Sequence, residues 1–205
     1  MTATHHVRAA SSDEVAECAR VLAAAFQADP GTIVYVPDDR DRAAILPDFF
    51  RTVVAAGLSE GASIVVADDP ISGVAIWFGP DRYGPSPEAM GAHGLGAVLE
   101  RSGPEATGNL VGMLQEIEVN HERLAPGPHM RLEFFGVTPA LQGEGIGTAL
   151  IEYGHRRADE SGLPCYLETF LESNVRYYER RGYRTVGEFT VGDDVRGYGM
   201  LRPAS

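Results

Sequence analysis

Lysine is missing altogether: all 17 basic residues of this 205-residue chain are arginine. Chemistry that needs a lysine amine is thereby excluded, which removes a Walker P-loop, a Schiff-base enzyme and a lysine general base. Cysteine is almost as scarce. Cys18 and Cys165 are the only two, too few for a disulfide framework, and no Cys-x-x-Cys or Cys/His cluster points to a metal. No apolar run approaches the ~20 residues that a membrane helix needs, and the opening stretch MTATHHVRAA lacks the apolar centre of a signal peptide. Positive charge is short as well. With 29 acidic residues the net charge is −12, the wrong sign for a general nucleic-acid binder. The expectation is a cytoplasmic protein, monomeric or homodimeric, with no nucleic acid, membrane or metal among its partners. Its 44% hydrophobic content suffices for one sizeable core and a single domain over 1–205.

What is present begins with organisation. VRAA reads as a short strand, and Ser11 with Glu14 forms a capping box that opens a helix carrying Val15, Ala19, Leu22 and Phe26 on one stripe. That helix stops at Asp29-Pro30. The loop GTIVYVPDD and a second helix, roughly Arg40 to Leu58, follow. ASIVVADD and GVAIWFG read as two buried strands joined at Asp69-Pro70. A Gly/Pro-rich loop then leads to two weaker helical stretches, about Ala89–Arg101 and Glu105–Leu124. From Met130 the pattern sharpens into strand MRLEFFGV, a glycine turn, a helix from about Ile146 to Ser161 and strand CYLETF. A short helix at about Asn174–Arg181, ended at Gly182, precedes two antiparallel strands around Gly192–Asp194. This order predicts an α/β (mixed α+β) fold: a mostly antiparallel mixed sheet of six to seven strands, flanked by helices.

The stretch LQGEGIGTAL, Leu141 to Leu150, sets glycines at 143, 145 and 147 between a strand and a helix. Glycine is the costliest residue to order. Two readings account for three so close together: a tight connection with no ligand, or a turn whose backbone must approach an anion. A helix N-terminus leaves N–H groups without intrahelical partners at the positive end of its dipole, which suits phosphate. Glu144 is expected to face outward, away from any such anion. A dinucleotide fingerprint beginning at Gly143 fails because Thr148 stands where its last glycine belongs.

Gln142-x-x-Gly145-x-Gly147 resembles the Q/R-x-x-G-x-G/A pyrophosphate loop of the GNAT superfamily of N-acetyltransferases, and the strand LEFFGVTP before it resembles that family's motif too. Tyr178-Glu179-Arg180-Arg181-Gly182-Tyr183, with Asn174 one turn earlier, is similar to the family's last helix, most of all in the puromycin N-acetyltransferase group. In that group Ser-x-Pro-Arg precedes the Asn; here Phe170-Leu171-Glu172-Ser173 stands in its place. The resemblance covers about Arg8 to Leu201 and is strongest over 129–190.

It implies the GNAT fold with a helical insertion at about 80–128, and acetyl-CoA as donor. The donor would be bound by Phe135, Gly136, Val137, Gln142, Gly143, Glu144, Gly145, Ile146, Gly147, Thr148, Asn174 and Tyr178. It further implies direct acetyl transfer to a small primary amine, such as an amino-nucleoside or antibiotic-like molecule. A protein or peptide N-acetyltransferase and a non-catalytic acyl-CoA sensor are the alternatives. Tyr178 holds the motif position for donating to the departing thiolate, as a phenol of pKa near ~10 can. A strand that splays before the glycine turn would free N–H groups among Phe135–Val137 for the developing oxyanion.

For the general base, Glu133 is a candidate because strict alternation puts it on the face of Phe135 and Val137. Pairing with an arginine such as Arg131 is its structural alternative. Glu168, His121 and His129 are further candidates. Arg156, Arg157, Arg176, Arg180 and Arg181 are candidates for the 3′-phosphate. Tyr35, Trp77, Tyr83 and Glu168 are expected to contact the acceptor, as aromatic walls with a polar group.

Overall fold

The computed structural model describes residues 5–205; Met1–Thr4, the start of the stretch read above as lacking a signal peptide, lie outside them. Strand β1 (Val7–Ala9) leads through a 3-10 turn into α1 (Val15–Phe26). The expected capping box is present: the Glu14 carboxylate accepts from the Ser11 N–H at 2.8 Å and from its hydroxyl at 3.1 Å. Arg8 also donates to Glu14, and this bond first, then that from Ser11, pulls the Glu14 carboxyl down to about 2. Helix α2 (Pro30–Tyr35) occupies what the sequence suggests is a loop. Asp29 caps it, accepting from Gly31 N–H at 2.8 Å, and Pro30 sits at the tolerant first position. Helix α3 (Asp39–Ser59) buries Ile45, Leu46, Phe49, Phe50, Val53 and Val54.

Strands β2 (Ser63–Ala67) and β3 (Gly73–Phe78) form the expected hairpin. Next come α4 (Pro87–Ala92) and the long α5 (Leu95–Leu124), the latter broken at Gly103 (φ 81°) before Pro104. The break falls between the two helical stretches legible in the sequence. The remaining elements are β4 (Met130–Val137), α6 (Ile146–Glu160), β5 (Cys165–Thr169), α7 (Glu172–Glu179), β6 (Arg184–Val191) and β7 (Val195–Arg202). Among the described residues seven strands make one sheet in the order β1-β2-β3-β4-β5-β7-β6, and β4 with β5 is its single parallel pair.

Alternation assigns the central strands to two cores. Ile64, Val66, Val74, Ile76 and Phe78 pack with α1, α3 and α5, while Val65, Ala67, Ala75 and Trp77 pack with α6. Two irregularities shape what lies between. The β4–β5 pairing stops at Leu132↔Leu167, whereas β4 stays paired with β3 as far as Val137↔Gly73. The two parallel strands therefore splay, and residues 133–137 turn one edge toward open space. The second irregularity is a bulge: Ile76 pairs with Phe134 but Trp77 with Leu132, leaving Glu133 as the extra residue. The bulge reverses the strand's phase, so Leu132 and Val137 share one core while Glu133 lies with Arg131. The expectation that Glu133 shares the face of Phe135 and Val137 is thus corrected.

Candidate active site

The splay opens into a cleft of about 1380 Å³. One wall is β4 and the start of α6, another is α7 and the end of β5, and α2 with α5 close it above. The cleft has three chemically distinct stretches.

At the first, Gly143 (φ 88°) and Gly145 (φ 99°) take left-handed conformations that other residues rarely adopt. Gly145 caps α6, so the N–H groups of the helix's first turn have no intrahelical acceptors. Gly147 has a different reason to be small. A Cβ there would sit 2.8 Å from both the Phe135 ring and the Tyr177 hydroxyl. Gln142 Nε2 donates to the Val137 carbonyl at 3.3 Å, tying the loop back to β4. Arg181 spans the stretch. It donates to the Tyr177 carbonyl at 2.7 Å and to the Thr148 hydroxyl, and its guanidinium lies 3.5 Å from the Tyr177 ring centroid. Phe135, Gly136, Val137, Gln142, Gly143, Gly145, Ile146, Gly147 and Thr148 all line the cleft. Glu144 does not, so its place among the expected donor-binding residues is corrected; it is exposed, and its charge would repel a phosphate. Of the candidate arginines, Arg180 and Arg181 reach the cleft, and Arg156, Arg157 and Arg176 do not.

The middle stretch holds Tyr178, which is 6% exposed and lines the cleft. Burial pushes its phenol well above the ordinary value, so it carries its proton throughout the neutral range. Tyr177 stands edge-to-face beside it, ring centroids 5.3 Å apart. Among the described residues the buried Tyr177 hydroxyl has no hydrogen-bond partner. Asn174, one turn earlier, donates to Thr169 Oγ1 at 3.3 Å and also lines the cleft.

The third stretch is ionic. Arg131, 4% exposed, meets three carboxylates: Glu133 at 3.0 Å, Glu168 at 3.2 Å and Glu118 of α5 at 3.4 Å. Its Nε–H is directed to Glu168, so the Glu133 contact is ionic without hydrogen-bond alignment. Glu133 Oε2 is left buried with no hydrogen-bond partner among the described residues. Burial raises the Glu133 carboxyl, against the pull of Arg131. Burial likewise pushes Glu168 up to about 7, Arg131 again opposing.

Behind this group lie His121 and His129. The Arg131 Nη1–H points at His121 Nδ1 (3.4 Å), so His121 carries its proton on Nε2 and donates it to His129 Nε2 at 2.8 Å. His129 in turn donates from Nδ1 to the Gly127 carbonyl at 2.7 Å. Both rings are neutral in this register. Burial first, then Arg131, lowers His121 to about 4, and burial lowers His129. They buttress Arg131; neither lines the cleft.

The acceptor-side expectations fare unevenly. Glu168 and Tyr83 line the cleft, and the Tyr83 ring lies stacked 4.2 Å from His129 while its carbonyl accepts from Arg131. Tyr35 lines it from behind: it is 1% exposed, and its hydroxyl shares a 2.9 Å hydrogen bond with Ser102. Trp77 is not brought there at all. It is 1% exposed and packs under α6, where a Cβ on Gly154 would lie 2.2 Å from the indole. On a strand buried on both faces, alternation alone cannot say which core a residue joins, so Trp77 is corrected to a packing residue. Glu118 was missed as a site residue because only the fold brings α5 to β4; its i,i+3 spacing to His121 is the one local signal.

A profile of the acetyltransferase (GNAT) family matches residues 72–183, more than half of the chain. The chain belongs to the GNAT family. Two curated relatives are similar to it, both described as uncharacterized N-acetyltransferases of Schizosaccharomyces pombe. One is 38% identical over 60 residues, covering 29% of this chain and 25% of its own length. The other is 26% identical over 175 residues, covering 82% of this chain and 69% of its own. The crystal structure described as histone acetyltransferase HPA2 and related acetyltransferase, from Corynebacterium glutamicum, superposes with a TM-score of 0.69 at 23% identity, covering 99% of this chain and 98% of that one. At that identity the likeness speaks for the GNAT fold. Enzymes of the GNAT family use acetyl-CoA as acetyl donor. No helix among the described residues is long and apolar enough to cross a membrane.

Proposed function

We propose that this protein transfers the acetyl group of acetyl-CoA to the primary amine of a small molecule by direct attack. One observation carries the reading. A single cleft joins a loop of left-handed glycines at a helix N-terminus, a buried protonated phenol, and a buried carboxylate raised by its burial.

The glycine end fits the donor's diphosphate, which needs N–H donors and no side chain in the way. Gln142, Gly143 and Gly145 to Thr148 would hold it, with Asn174 and the open edge of Phe135–Val137 beside the pantetheine arm. When bound, acetyl-CoA supplies an activated thioester. The chain's own residues do the rest. Glu133, its carboxyl raised by burial, takes the proton that the amine must lose before or as it attacks. The edge of β4 that the splay frees from β5 would offer backbone N–H among Phe135–Val137 to the developing oxyanion. Tyr178 gives its proton to the departing sulfur. Arg131 holds Glu133 and Glu168 in place, and Glu118 extends negative charge toward the mouth.

Three carboxylates against one guanidinium favour an acceptor that arrives as an ammonium ion. The apolar walls from Leu110, Met113, Leu114 and Phe134 favour one with apolar or aryl bulk. These features, with the YYERRGY helix, support the puromycin-like subgroup and an amino-nucleoside or other antibiotic-like amine. Thiol release from acetyl-CoA, measured across small primary amines and N-terminal peptides, tests the assignment. Turnover with small amines and none with peptides is expected; the reverse pattern would replace a small-molecule acceptor by a protein one.

A further inference from the structure

The proposed chemistry makes no use of the segment before β1, yet His5 reaches the glycine loop from behind. Its Nδ1 lies 3.0 Å from Asp68 Oδ2, and its Nε2 lies 3.1 Å from the carbonyl oxygen of Glu144. Both partners only accept. A neutral imidazole has one N–H and can serve one of them; an imidazolium has two and serves both. Asp68 is fixed for this purpose. Its backbone is left-handed (φ 65°), its Oδ1 accepts from the His6 N–H at 3.3 Å, and its Oδ2 accepts from the Ser72 hydroxyl at 2.7 Å. The same β2–β3 turn grips the chain ahead of the loop, where the Ser72 carbonyl accepts from Thr138 N–H at 2.9 Å.

A peptide unit is planar and trans, so its C=O and N–H point in opposite directions. Holding the Glu144 carbonyl on His5 therefore sends the Gly145 N–H away from His5. A Cβ on Gly145 would lie 3.7 Å from His5 Nε2, which confirms that the imidazole backs this residue, whose other side lines the cleft. The charged groups facing the ring are Asp68 and the Glu144 carboxylate. The Glu144 carbonyl bond, opposed by burial and aided by Asp68, holds its pKa above the usual histidine value.

We propose that His5, as an imidazolium clamped by Asp68, is a positioning residue for the donor's diphosphate: it aims the Gly145 N–H into the cleft and sets a positive charge behind it. This rests on the assignment of the 142–148 loop to the diphosphate. The sign of its pH dependence follows. The proton is present at low pH, so affinity for a diphosphate is highest there and declines as pH rises through the raised histidine value.

The test is calorimetric titration with dephospho-CoA, which keeps the diphosphate and lacks the titrating 3′-phosphate, from about pH 6 to about pH 9. His5→Ala and His5→Gln are expected to weaken binding about tenfold at the acid end and to flatten the profile. Asp68→Asn should move the wild-type transition to lower pH. Turnover with S-acetyl-pantetheine, which has no diphosphate, should be unchanged in the His5 variants. Equal affinity and an equal pH profile in wild type and both His5 variants would overturn the inference while leaving the loop assignment intact. Equal losses with acetyl-pantetheine and dephospho-CoA would overturn it as well. Absence of any CoA binding by the wild type would remove the loop assignment and this inference together.

Discussion

Replacing Tyr178 by phenylalanine removes one oxygen from the middle of the cleft and little else. No hydrogen bond of the Tyr178 hydroxyl contributes to the fold among the described residues, and the ring keeps its edge-to-face contacts with Tyr177 and Tyr183, at 5.3 and 5.6 Å. Losing an unpartnered polar group costs the fold almost nothing, so Tm should stay within about 2 °C of wild type. Catalysis should suffer far more. A positioned general acid contributes about 10²-fold or more, equivalent to about 2.7 kcal/mol of transition-state stabilisation. Because the phenol is raised by burial, the wild-type rate should show no alkaline decline from this group in the neutral range. The assay is steady-state thiol release with calorimetric CoA affinity alongside. Tyr178→Phe should lower kcat by about 10²-fold and leave CoA affinity within about threefold. Tyr177→Phe is the decisive control, since its hydroxyl is also buried in the cleft. If Tyr177→Phe lost the activity and Tyr178→Phe kept it, the acid would be the neighbouring residue.

Three further outcomes follow from the packing and the charges. Gly147→Ala places a methyl 2.8 Å from Phe135 and the Tyr177 hydroxyl, so thermal unfolding should show a loss of about 1–3 kcal/mol and CoA should bind about tenfold more weakly. Glu168, pushed to about 7, binds its proton more tightly folded than unfolded. Its contribution to stability therefore falls as pH climbs from about 4.5 to about 7, and the Tm difference between wild type and Glu168→Gln should change over that window and level off above it. Gly154→Ala drives a methyl into Trp77 and should cost about 3 kcal/mol, the upper range for overpacking, without a selective rise in the acceptor's KM over that of acetyl-CoA. A selective rise would return Trp77 to the acceptor site.

The local features were legible because local physics dictates them. The glycine loop, the Ser11–Glu14 cap, the β2–β3 hairpin and the break before Pro104 each follow from backbone preferences of the residues themselves. Helix α2 was not legible. Thr32, Ile33 and Val34 are β-branched and favour extended chain, and the helix forms because Asp29 caps it and the core buries Thr32 and Tyr35. The phase of Glu133 failed for another reason. Alternation assumes an unbroken ladder, and the bulge opposite Ile76 and Trp77 inserts one residue. The Arg131 cluster draws on α5, β4 and β5, so no window of sequence contains it. Tyr35 and Tyr83 do line the cleft, but their hydrogen bonds and stacking partners depend on tertiary contacts.

The central claim is that one cleft carries donor loop, acid and base for acetyl transfer to a small amine. Mixing wild-type protein with acetyl-CoA and the most active amine of the panel, then quantifying free thiol and acetylated amine in the same sample, addresses it most directly. Equal amounts of both products, abolished together in Glu133→Gln, are predicted. Saturable acetyl-CoA binding with neither product from any amine would contradict the account and leave an acyl-CoA sensor in its place.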